Sequence, residues 1–183
     1  CRVVVPDLLG FGDSLDAPAR YHATEHAAAI VRFLEKLGIE RLHLVGFDFG
    51  NPTAIRVAGT LGKRIQSLTV IATNMFPDTP IPAPLRLAKV PWLGWLFFRL
   101  AFGRLGLMAM WLAAVADRQA FPFTRYSATL ERRGIRTTRR IFLRSMRDLP
   151  GLYGDVARIG TALAIPTLVL WGDRDPFFPT AIG

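Results

Sequence analysis

The chain has 183 residues, 51% of them hydrophobic and 20% charged, which is long enough for one substantial hydrophobic core. Its single cysteine, Cys1, excludes an internal disulfide framework and fits a reducing, cytoplasmic compartment. The formal charge of +9 admits anionic substrates or lipid head groups as partners.

Read in chain order, Arg2-Val3-Val4-Val5-Pro6 is predicted to hold a short strand over Val3 to Val5. No charged n-region and apolar h-region precede it, so no signal peptide is read. The chain starts abruptly at Cys1, without Met, and stops at Gly183 just after a strand and its loop, so it reads as an internal fragment. Asp7-Leu8-Leu9-Gly10-Phe11-Gly12-Asp13-Ser14 is a glycine-punctuated loop. Thr24 and Glu25, with apolar residues at 27, 30, 31, 34 and 37, predict an amphipathic helix capped near Thr24 and ended by Gly38.

Leu42-His43-Leu44-Val45 predicts a strand, and Asn51-Pro52-Thr53-Ala54-Ile55-Arg56-Val57-Ala58 a helix with proline in its first turn. Between them lies Gly46-Phe47-Asp48-Phe49-Gly50. Strand, sharp turn between glycines and helix form a nucleophile elbow, whose central residue stands clear of both elements. That residue is commonly Ser. Here it is Asp48, which turns the chemistry toward attack by a carboxylate.

Ser67-Leu68-Thr69-Val70-Ile71-Ala72-Thr73 predicts a further strand, and strand–helix alternation predicts a parallel sheet with helices on both faces. From Phe76 the pattern changes. Prolines at 77, 80, 82, 84 and 91 make an extended connector, and Trp92 to Val115 is then strongly apolar. Its length approaches a bilayer span, but Arg99 and Arg104 interrupt it. A buried helical hairpin lining a pocket is expected, with an interfacial helix as the alternative. Another helical segment runs roughly from Tyr126 to Met146, arginine-rich on its polar face. Between Phe76 and Ile159 lie 14 of the 23 basic residues and only 5 of the 14 acidic ones, so this segment holds the whole charge surplus. Ile165 to Trp171 predicts the last strand, followed by Gly172-Asp173-Arg174-Asp175-Pro176-Phe177-Phe178-Pro179.

The loop from Pro6 to Ser14, the elbow at 46 to 50 and the strand and loop ending Gly172-Asp173-Arg174-Asp175-Pro176 together resemble the α/β-hydrolase superfamily. The resemblance implies a mostly parallel sheet with helices on both faces and an inserted helical cap. It divides the chain into hydrolase core at 1–75, cap insertion at 76–159 and resumed core at 160–183. The early strands and a C-terminal histidine-bearing segment would lie outside the chain. An aspartate elbow is similar to those of epoxide hydrolases and of haloalkane and haloacetate dehalogenases.

The resemblance implies roles for particular residues. Asp48 would be the nucleophile, ionised near neutral pH without help because an ordinary aspartate titrates at about 3.9. Asp175 would be the acid that orients a histidine beyond the chain, with Asp173 as the neighbouring alternative. The backbone N–H of Phe49 would serve the oxyanion. Cap tyrosines act on the epoxide oxygen in epoxide hydrolases, which makes Tyr126 and Tyr153 candidates, Tyr21 lying elsewhere; Trp111 would line an apolar pocket. Dehalogenases carry Trp after the nucleophile to hold the halide, and Phe49 has no such N–H. His22, His26 and His43 read as structural, so the fragment alone is expected to be inactive.

The expected activity is hydrolysis of an apolar epoxide by water through an alkyl-ester intermediate. The alternatives are a dehalogenase, an ester hydrolase, or an inactive homologue serving as a binding or membrane-associated module. No metal cluster and no cofactor are read. Gly10-Phe11-Gly12 lacks the third glycine of a dinucleotide fingerprint, and no nucleic-acid partner is expected. The basic, aromatic cap offers peripheral membrane contact.

Overall fold

The computed structural model describes residues 1–14, 23–78, 83–131, 135–175 and 177–180. Tyr21, His22 and Pro176 lie outside them. The chain divides into two compact units, one of Cys1–Ala19 with Ile81–Asp148 and one of Arg20–Pro80 with Leu149–Gly183.

The second unit begins with α1 (Ala23–Lys36), one residue earlier than the sequence suggests, so Thr24 lies in its first turn. Gly38 ends it as predicted. With φ at +65° its N–H donates to the Glu35 carbonyl while that of Ile39 reaches Leu34, a paired closure that a residue with a Cβ adopts only under strain. β1 (Leu42–Phe47) then leads through a single turn of 3-10 helix into α2 (Asn51–Leu61), and β2 (Ile65–Ile71) follows. After the other unit come α8 (Leu149–Tyr153), α9 (Val156–Ala162) and β3 (Thr167–Leu170). The sheet is parallel throughout, in the order β1-β2-β3, with Val45 beside Thr69 and Thr69 beside Leu168.

The core sits on one face of this sheet. Leu68 and Val70 pack with Ala54, Ile55 and Val156, and Val57 packs with Ala27 and Leu34. Each fully buried aliphatic side chain there contributes roughly 1.5–3 kcal/mol. The other face, carrying Val45, Phe47 and Leu168, is exposed among the described residues.

The first unit holds α3 (Ala83–Arg86), α4 (Pro91–Ala101), α5 (Arg104–Ala114), α6 (Phe123–Glu131) and α7 (Ile135–Arg147). The helical segment expected from Tyr126 to Met146 is helical on both sides of 132–134, which lie outside the described residues. The strand expected at Val3–Val5 is not formed: among the described residues that segment has no ladder partner, and its side chains are exposed. The Asp7 loop is ordered from within, since Asp7 Oδ2 accepts the Asp13 N–H at 3.0 Å. Gly12 has φ at +48° and leaves no space for a Cβ beside that carboxylate. The hairpin at 91–114 is helical, but Trp92, Trp95, Leu100 and Leu105 are exposed rather than buried. Among the described residues no single helix is long and apolar enough to cross a membrane.

Candidate active site

Asp48 leaves β1 with φ at +46°, a left-handed conformation that costs an ordinary residue about 1–3 kcal/mol and persists only where its surroundings enforce it. Three donors converge on its backbone carbonyl. The Asn51 N–H closes the 3-10 turn on it, while Asn51 Nδ2 and Thr73 Oγ1 donate at 3.3 and 3.2 Å. Asn51 Nδ2 also reaches the Ile71 carbonyl at 2.7 Å, so one buried amide joins the start of α2 to the end of β2. Ala72, the residue after β2, is the other described non-glycine residue with positive φ, at +37°.

The two elbow glycines have different reasons. A Cβ on Gly46 would stand 2.6 Å from Asn51 Oδ1 and 2.9 Å from Ala54 Cβ, so its absence lets α2 close on β1. Gly50 has an ordinary helical backbone and open space where a Cβ would be.

The Asp48 carboxyl is pushed up from 3.8 to about 6, first by burial and then by the Asp175 charge, while a hydrogen bond from the Phe49 N–H opposes the rise. Burial is the larger cause of the rise and the Asp175 charge the smaller. Asp175 is held on its loop by the N–H groups of Phe177 and Phe178, both donating to Oδ1 at 2.8 and 2.9 Å. Its own N–H reaches back to the Gly172 carbonyl. Asp173 is 92% exposed in its side chain and lies 3.9 Å from the Arg174 guanidinium.

Tyr153 is buried in the same unit. Burial, and secondly the charge on Asp48, drive its hydroxyl far above the phenol range, so it remains a proton donor. Its carrier helix is seated by Arg56, a buried residue on α2 that donates to the Leu152 carbonyl at 3.0 Å and pairs with Asp155 through Nε and Nη2. The rings of His26 and Phe49 meet in a T-shaped contact with centroids 6.2 Å apart, which buttresses the residue after Asp48. His43 bonds Ser67 Oγ across β1 and β2 at 2.8 Å, a structural pair.

Trp111 and Tyr126 belong to the other unit. The Trp111 indole N–H donates to the Phe121 carbonyl at 2.9 Å, and its ring meets Phe123 edge-on. Tyr126 meets Phe121 edge-on, and burial raises its hydroxyl above the ordinary phenol value. Among the described residues no group of three or more His, Cys, Asp and Glu could hold a metal ion.

Asn51, Thr73 and Arg56 were not singled out from the sequence. Asn51 carried a signal, since an amide stands at the first position of a helix whose inner face is largely apolar. Thr73 and Arg56 depend on partners 25 and 96 to 99 residues away, which periodicity does not reveal.

A family model described as alpha/beta hydrolase fold matches residues 1–182. The chain belongs to the α/β-hydrolase fold family. Within it, this hydrolase chain is 29% identical over 187 residues to haloalkane dehalogenase 2 of Mycobacterium tuberculosis, covering 97% of this chain and 63% of the relative. It is 35% identical over 81 residues to epoxide hydrolase 3 of Siraitia grosvenorii, covering 43% of this chain and 26% of the relative. A solved meta-cleavage product hydrolase from Pseudomonas fluorescens shares the fold with a TM-score of 0.73 at 18% identity, covering 96% of this chain and 63% of that one. The chain thus spans 63% of the length of its long-matching relatives.

Proposed function

We propose that Asp48 is the nucleophile of a hydrolase that opens an apolar epoxide through an alkyl-ester intermediate. The observation that carries this is the strained Asp48 elbow with Asp175 close enough to raise its carboxyl and Tyr153 within electrostatic reach. In the first step an Asp48 carboxylate oxygen attacks an epoxide carbon. The ring C–O bond breaks, its electron pair passes to oxygen, and the Tyr153 hydroxyl donates a proton to it. Water then attacks the ester carbonyl carbon, with the Phe49 N–H donating to the oxyanion. The acyl C–O bond breaks, one water proton passes to the departing alkoxide and the other returns to the Tyr153 oxygen, releasing the diol and restoring the carboxylate. By resemblance, the base for that water is a histidine oriented by Asp175. In this reading 76–159 is the cap, and Trp111 and Tyr126 are candidates for substrate contact. No cofactor enters.

The dehalogenase reading draws support from the relative matched over nearly the whole chain. Against it stands Phe49, which lacks a ring N–H to hold halide. Incubation with an aryl epoxide, a bromoalkane and a nitrophenyl ester separates the classes. Epoxide consumption without bromide or nitrophenol release is expected, and bromide release with intact epoxide would overturn the assignment in favour of dehalogenation.

We further infer a cytoplasmic enzyme with peripheral membrane contact through its basic, aromatic-rich segment, which the charge surplus between Phe76 and Ile159 supports.

A further inference from the structure

We propose that the exposed faces of α4 and α5 form an interfacial anchor that selects anionic lipid. This rests on the peripheral-contact reading above and is independent of the reaction at Asp48. On α4 the exposed positions are 91, 92, 95, 96, 99 and 100, one side of a helix. Trp92 is 67% exposed, Trp95 50% and Leu100 64%. On α5 the stripe continues with Leu105, 83% exposed, and with Met108 and Leu112.

The opposite faces hold the hairpin in its unit. Gly94, Phe98 and Leu107 are buried, Phe98 stacks on Phe102 at 6.1 Å, and Phe102 meets Phe142 at 5.7 Å. Gly94 lies against Ala88, where a Cβ would stand 2.8 Å from its Cα. One apolar face therefore packs and the other is presented, an arrangement that a soluble surface helix avoids.

Geometry and charge name the occupant. Each helix has 11 residues and the pair is bent by 72°. A helix of that length rises about 16 Å against a hydrocarbon core of roughly 30 Å, so the hairpin suits lying in the interface rather than crossing it. From residue 79 to 116 there is no Asp or Glu, while Arg86, Lys89, Arg99 and Arg104 are all basic. The Arg99 guanidinium stacks over the Trp95 ring at 5.4 Å, which keeps a cation at the boundary where tryptophans meet lipid phosphates. On α7, Arg136, Arg140 and Arg144 form a further exposed stripe at helical spacing, adding attraction toward an anionic surface.

The test is sedimentation of the 183-residue chain with phosphatidylcholine vesicles, with and without phosphatidylglycerol. The chain should bind the phosphatidylglycerol vesicles with a blue shift in tryptophan emission, and weaken as salt rises. Trp92→Ser with Trp95→Ser should lower partitioning at least about tenfold, and Arg99→Gln or Arg104→Gln about fivefold each. All four side chains are exposed, so circular dichroism should show an unchanged fold. Binding that ignores these substitutions overturns the anchor while leaving peripheral contact standing. Absence of binding to either vesicle overturns both. A concentration-dependent dimer abolished by the tryptophan substitutions, with no vesicle binding, would make the face a protein interface instead.

Discussion

Asn51 Nδ2 donates to the Ile71 carbonyl at 2.7 Å, which ties the first residue of the elbow helix to the last residue of the neighbouring strand. The same nitrogen reaches the Asp48 carbonyl, so the strained backbone of Asp48 is fixed from the sheet as well as from the helix. Asn51→Ala leaves a buried carbonyl without its donor, and should cost about 1–3 kcal/mol in urea unfolding. Asn51→Asp offers no donor and should do no better; full stability of either variant would show that the tie is incidental.

The elbow glycines give a paired test. Gly46→Ala forces a methyl into Asn51 and Ala54 and should destabilise by about 1–3 kcal/mol, as overpacking does. Gly50→Ala meets open space at an ordinary backbone angle and should stay within about 0.5 kcal/mol of the parent. Equal costs in thermal unfolding would contradict this division of labour.

Arg56 links stability to the site. Asp155→Ala strands a buried guanidinium and should cost about 2–4 kcal/mol, the lower part of the range because the Asp155 side chain is 37% exposed. The loss should also loosen α8 and with it Tyr153. Tyr153→Phe, which keeps the packing and removes the donor, should slow epoxide opening by on the order of 100-fold with little change in stability. A rate unchanged in Tyr153→Phe would assign the proton to another group.

Much of this arrangement is legible along the chain, because the elbow is local: a strand, a turn between glycines and a proline-opened helix occupy consecutive residues. The parallel sheet follows from alternation, since strands joined through helices pair in parallel. Val3–Val5 misleads for the reason that strand propensity describes a half-buried surface, and here no neighbour supplies the ladder. Trp92 to Trp111 misleads similarly, because apolar composition suggests burial while the bend and the single packed face leave the other exposed. The different settings of Asp173 and Asp175 are conformational, Asp175 being held by the backbone N–H groups of Phe177 and Phe178.

Asp48 also predicts a pH-dependent stability. Its folded value of about 6 lies above its ordinary 3.8, so the folded state binds the proton more tightly than the unfolded chain. That contribution is fully present below about pH 4 and is lost as pH rises through about 6. The shift corresponds to about 3 kcal/mol, reduced by solvent screening of this partly buried group to on the order of 1–2 kcal/mol. Asp48→Asn should therefore unfold at higher denaturant than the parent at pH 8 and at nearly the same denaturant at pH 4. Equal midpoints at pH 8 would show an unstrained carboxylate.

The most direct measurement is peptide mass spectrometry of the 183-residue chain after incubation with an aryl epoxide across a pH series. The mass of one epoxide should appear on Asp48, its rate rising with pH through a midpoint of about 6 as the carboxylate forms, and should be absent from Asp48→Asn. Epoxide consumed without mass at Asp48, or consumed equally by Asp48→Asn, would contradict a covalent role for this residue.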